Sequence, residues 1–77
     1  MLDPQEIRCR LEDVFPGATV AADDATGAGD HFTVTVVSDR FAGKSLVERH
    51  QMVYGALSAL MPRIHALQLK TVTSSER

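Results

Sequence analysis

Three histidines and one cysteine, His31, His50, His65 and Cys9, are the soft metal donors of this chain. A neutral imidazole or a thiolate can donate a lone pair to a transition metal. None of the four stands in the close pairing of a zinc site, such as two histidines four residues apart on one helix. His65 is the most distinctive, lying in Arg63-Ile64-His65-Ala66-Leu67 directly after Met61-Pro62. From the residues alone it reads as a polar residue at a strand edge, with metal ligation as the alternative. Cys9 sits between Arg8 and Arg10, whose charges would favour a reactive thiolate. Its nearness to the apolar stripe of the first helix favours a small, inert residue on the buried side. Gly43-Lys44-Ser45 mimics the end of a phosphate-binding loop, but that motif needs glycine five residues earlier, where Ser38 stands. No nucleophile–base pair, carboxylate dyad or cofactor loop is visible, so the expectation is a protein without catalytic activity.

The elements that must position these side chains can be read from periodicity. Asp3-Pro4-Gln5-Glu6 is a helix start, with Asp3 as cap, Pro4 at the first helical position and Glu6 closing a capping box. Ile7, Leu11, Val14 and Phe15 recur at helical spacing, and Pro16-Gly17 ends the run. Residues 18–22 form a short first strand, and residues 23–30 a polar, glycine-containing, mobile loop. From His31 to Val37 the pattern alternates: Phe32, Val34 and Val36 face one way, His31, Thr33, Thr35 and Val37 the other. After a connector anchored by Phe41, Ser45 and Glu48 form a second capping box. Leu46, Val53, Leu57 and Leu60 then mark a helical face reaching Met61, with Gly55 as a bend and Pro62 as the stop. Residues 65–73 read as a third strand and residues 73–77 as a frayed tail. The order αββαβ predicts one α+β domain over residues 1–77: a two-layer sandwich, three strands with both helices on one face.

Composition sets the limits. Seventy-seven residues make one domain with a small core, and the absence of Trp makes that core largely aliphatic. A single cysteine excludes an internal disulfide and a cysteine-only metal cage. No basic leader or long apolar run is seen, so the expected location is cytoplasmic, with no membrane contact. The net charge of −2 is unevenly spread: seven acids and two arginines in residues 1–38 give −5, and three acids and six Lys or Arg afterwards give +3. The basic half suits an acidic partner and is thin for DNA.

Several short pieces, in this order and spacing, resemble the BolA family. They are His31-Phe32 opening a valine-rich strand, Phe41-x-Gly43-x-Ser45, Arg49-His50, Val53-Tyr54 and Ile64-His65-Ala66. The resemblance implies a KH-like fold of class II type over nearly the whole chain. It also implies a monothiol glutaredoxin as partner, with a glutathione-bound [2Fe–2S] cluster shared between the two proteins. The histidine matching His65 is the family's constant metal ligand. Some members add a loop cysteine four residues before the strand phenylalanine. Here that position is Ala28, which leaves His31 as the nearest second metal ligand and Asp30 as another candidate. A histidine in place of a thiolate makes the iron site less anionic and raises its potential.

Arg40, Lys44, Arg49, His50, Arg63 and Lys70 are the candidate partner-binding set, with a solvated basic surface as the alternative. Two other functions stay open: a DNA-binding transcriptional regulator using the KH-like fold, and an adaptor that binds its partner without a cluster. A homodimer also stays open. The KH Gly-x-x-Gly clamp is absent, which weighs against nucleic acid. Thr73-Ser74 stands where the family often has a Thr-Pro step ahead of a Trp-containing helical tail.

Overall fold

The computed structural model describes residues 2–76. Helix α1 runs Pro4–Val14, and its start is the capping box expected. The Asp3 carboxylate accepts the Gln5 N–H at 2.9 Å, and the Glu6 carboxylate accepts the Asp3 N–H at 3.2 Å. Ile7 and Leu11 are fully buried, and Phe15 caps the C-terminal end inside the core. Val14, expected on the same stripe, is 40% exposed, because it points away from the sheet at the last helical position. Leu2 adds an anchor that periodicity could not show: its side chain is buried, and its N–H reaches the Gly29 carbonyl at 3.2 Å.

The sheet has the order β1-β2-β3, with β1 at Thr19–Asp24, β2 at His31–Val37 and β3 at Ala66–Val72. β1 and β2 are antiparallel, from Thr19↔Val37 to Asp24↔Phe32. β2 and β3 are parallel, from His31↔Ala66 to Val37↔Val72. β1 therefore runs two residues further than expected, because Asp23 and Asp24 still pair with β2. Phe32, Val34 and Val36 are buried beneath the helices, while Thr33 on the other face is exposed. The alternation of β2 is thus the alternation of its two environments.

A parallel pair needs a crossover, and residues 38–65 supply it. Ser38 accepts the Arg40 N–H in a short 3-10 turn at Asp39–Phe41, and Phe41 is wholly buried against Phe15 with centroids 5.5 Å apart. Gly43 has φ +74°, a left-handed turn that only glycine takes without strain. Helix α2 spans Leu46–Ala56, opened by Ser45 and Glu48 in reciprocal bonds of 3.2 and 3.0 Å.

Its end differs from expectation. The helix stops at Ala56, and residues 57–60 tighten into turns before a 3-10 turn at Met61–Arg63. The bonds Ser58 N–H to Gly55 and Leu60 N–H to Leu57 are three-residue closures. Pro62 has no N–H to continue a ladder and biases the preceding residue away from helix, so the tightening begins ahead of it. Leu46, expected on the apolar face, is 62% exposed in the first turn. Val53 and Leu57 carry the burial.

The tail also departs from the frayed segment expected. Thr73 is buried, and the chain turns back on itself through Glu76 N–H to the Thr73 carbonyl at 3.1 Å. The Glu76 carboxylate meets the Arg49 guanidinium at 2.6 and 3.0 Å and accepts the Thr73 N–H at 3.0 Å. Ser74 donates from both N–H and hydroxyl to Asp39, at 3.1 and 2.7 Å. Arg77 lies outside the described residues.

Candidate metal-ligand pair at the sheet end

His31 opens β2 and His65 immediately precedes β3. Because the strands are parallel and in register from His31↔Ala66, the two histidines arrive side by side. Their ring centroids are 5.0 Å apart with planes inclined at 58°. His65 is exposed, and the His31 side chain is 38% exposed. Imidazoles held by one tetrahedral ion, each with a metal–nitrogen bond of about 2.1 Å, have centroids roughly 5 Å apart. The observed pair has that spacing. Two nitrogen donors suit iron, and two more ligands would have to come from elsewhere. Among the described residues no group of three His, Cys, Asp or Glu side chains stands close enough to hold a metal ion.

Asp30 joins the two histidines. Its backbone carbonyl accepts the N–H of His65 at 2.7 Å and of Ala66 at 3.1 Å. Its carboxylate lies 2.8 Å from His31 Nδ1. That hydrogen bond is the main influence holding the Asp30 carboxyl below its ordinary value. Asp30 was one of two candidates for a second ligand beside His31, and the structure gives its carboxylate a different engagement.

The loop ahead of Asp30 is ordered by Asp24, a role the sequence reading missed. The Asp24 carboxylate accepts N–H groups from Thr26, Gly27 and Gly29 at 3.3, 2.9 and 2.8 Å. An aspartate followed by a Gly-containing run is the signal of such a side-chain-closed turn, and it was available. Ala28 is exposed in this loop and carries a methyl group where a donor would be needed.

The other candidate residues are spread over the molecule. β2 rises about 3.3 Å per residue, so its far end is roughly 20 Å from His31. Arg40 is at that far end, donating to the Val14 carbonyl at 3.3 Å. Arg49 is there too, engaged with Glu76, the Lys44 carbonyl and the Thr71 carbonyl. Lys70 pairs in register with Thr35, mid-strand, where both residues point to the helix-free face. Arg63 belongs to the histidine end, two residues before His65, and reaches Glu6 at 3.5 Å. His50 is half-buried, with Nε2 shielded from solvent and no hydrogen-bond partner, and its ring meets Tyr54 edge-on at 6.4 Å. The six residues therefore do not share one surface. Cys9, expected near the buried side of α1, is exposed, because the buried stripe of Ile7 and Leu11 passes it by.

The sequence profile of the BolA-like protein family matches residues 11–76. BOLA2 of Arabidopsis thaliana is 46% identical over 55 residues, covering 71% of this chain and 59% of that protein. The DNA-binding transcriptional regulator BolA of Escherichia coli K12 is 45% identical over 51 residues, 65% of this chain and 49% of that protein. The matched segments thus span only about half to three-fifths of these two relatives. A Bol-like protein from Babesia bovis superposes with a TM-score of 0.87 at 31% identity, covering 99% of this chain and 90% of that one. The family profile spans most of the chain and the solved structure superposes over nearly all of it, and this chain belongs to the BolA-like protein family.

Proposed function

We propose that this protein is a non-enzymatic partner of a monothiol glutaredoxin, with which it co-ligates a glutathione-bound [2Fe–2S] cluster in iron–sulfur trafficking or iron regulation. The observation that carries this reading is the His31–His65 pair, exposed at one end of the sheet with ring centroids 5.0 Å apart. Two imidazoles give half of the four terminal ligands that a [2Fe–2S] cluster takes, two on each iron beside the bridging sulfides, so a second protein must complete the site. His65 is the primary ligand and His31 the second. Arg63 stands beside them as a docking residue. The cations at the far end, Arg40, Lys44 and Arg49, are too distant to serve the same contact. Among the described residues no helix is long and apolar enough to cross a membrane, and a cytoplasmic location suits a glutaredoxin partner.

Mixing the protein with a cluster-loaded monothiol glutaredoxin tests this by visible circular dichroism. The cluster bands should change for the native chain, and His65→Ala should abolish the change. Native bands identical to those of the glutaredoxin alone would sink the proposal.

The name of the Escherichia coli relative, a DNA-binding transcriptional regulator, favours a second reading in which this chain also binds DNA. Phosphate contacts would make DNA affinity fall steeply with salt. The dispersal of the cations and the neutralisation of Arg49 by Glu76 speak against it. A mobility shift that disappears between low and moderate salt would revive this reading. Glutaredoxin binding that survives His65→Ala without a cluster would favour the adaptor.

A further inference from the structure

Resting on the cluster-ligand reading, we propose that Asp30 is the positioning residue of this site: its carboxylate fixes the His31 ring with Nδ1 protonated, so that Nε2 is the donating nitrogen, while its backbone carbonyl seats His65 beside it. The residue itself donates nothing to the metal.

The geometry separates the two jobs. A carboxylate accepts hydrogen bonds and cannot give one, so the 2.8 Å contact with His31 Nδ1 requires the hydrogen on that nitrogen. The lone pair of the neutral ring then resides on Nε2. A carboxylate behind a metal-bound histidine is the usual device for fixing tautomer and ring direction, and it makes the imidazole a better donor. The second job uses a different atom. The Asp30 carbonyl takes the N–H groups of both His65 and Ala66, which ties the start of β3 to the residue ahead of β2.

The chain around Asp30 is built to hold it still. The Asp24 carboxylate gathers Thr26, Gly27 and Gly29, and the Gly29 carbonyl is held by the buried Leu2. One residue thus controls which nitrogen of one histidine carries the lone pair and where the other histidine begins. A side-chain substitution removes the first control and leaves the second.

The test uses Asp30→Ala and Asp30→Asn, which keep the backbone carbonyl. Long-range 1H–15N spectra of the imidazoles, recorded on the metal-free protein well above the ordinary histidine pKa of about 6.5, report the tautomer directly. Native His31 should be largely Nδ1-protonated. Asp30→Ala should shift it toward Nε2-protonated, and Asp30→Asn, whose amide oxygen can still accept, should lie between them. The His65 signals should move little. In visible circular dichroism titrations with cluster-loaded glutaredoxin, Asp30→Ala should bind on the order of 10-fold more weakly, with partial rescue by Asp30→Asn.

A native His31 already Nε2-protonated overturns the inference. So does full affinity in Asp30→Ala when the native chain binds. Failure of the native chain itself to bind a cluster is a different result: it removes the proposed function, and the donor role of Nε2 with it.

Discussion

His31 and His65 are held by different means, and this decides how each should respond to substitution. The His65 backbone is fixed by the Asp30 carbonyl while its ring stays exposed, whereas the His31 ring is itself hydrogen-bonded. His65→Ala should therefore abolish the cluster-dependent dichroism, and His31→Ala should weaken it. Neither ring is in the core, so thermal unfolding of both variants should stay within about 0.5 kcal/mol of the native chain. A large loss of stability in either would mean the ring is structural. His65 was legible in the sequence as a candidate because the frame around it resembled a family. Its proximity to His31 was not, since it depends on a parallel register that brings together residues far apart in the chain. Cys9 is the opposite case. Its neighbours on α1 suggested a buried position, yet one turn of helix separates the buried Ile7 and Leu11 and leaves Cys9 outside. It should react fully with a thiol reagent under native conditions, as read by mass spectrometry. A cysteine modified only after unfolding would contradict its exposure.

At the scale of elements, both capping boxes and the alternation of β2 were plain from short-range pattern, because caps and pleats are local. The early end of α2 follows from Pro62 nearby, whereas the tail was misjudged because its fate is set by distant partners. Arg49, which leaves α2, meets Glu76, and Asp39 ahead of α2 meets Ser74. These contacts clasp the chain end to the crossover, and their carboxylates give the clasp a pH dependence. The bonds from Arg49, then the Thr73 N–H, lower Glu76 from the ordinary 4.5 to about 2. The Ser74 hydroxyl, then its N–H, lowers Asp39. Lys70 and Glu76 line the same shallow hollow on the helix-free face. A carboxylate depressed in the folded state binds fewer protons there than in the unfolded chain, so stability rises with pH through that window. The clasp should contribute fully above about pH 4.5 and fade as the pH falls toward about 2. Glu76→Gln should flatten the acid limb of a pH series of thermal melts while leaving the neutral-pH dichroism of the cluster intact. An unchanged acid limb would show that the clasp does not hold in solution.

The whole molecule divides its labour along the strands. One end of the sheet carries the histidines and the Asp24-ordered loop, and the other carries the clasp and the Phe15–Phe41 contact. The two ends communicate through the pairing of β2 with β3, whose buried side rests on Val34, Val36 and the helices. A chain of 77 residues has a total stability of only about 4–12 kcal/mol, so a single core residue is a large share of it. Phe41 is wholly buried at the clasp end. Phe41→Ala should cost about 3–5 kcal/mol through lost burial and the cavity it leaves. Yet β-pairing sets the positions of His31 and His65, and the register survives as long as the sheet does. At a temperature where the variant is still folded, its imidazole signals and its cluster-dependent dichroism per folded molecule should match those of the native chain. Urea unfolding should show a lower midpoint with an unchanged slope. Loss of the histidine pairing in a folded Phe41→Ala chain would mean instead that core packing at the distant end sets the geometry of the site, and the register alone does not.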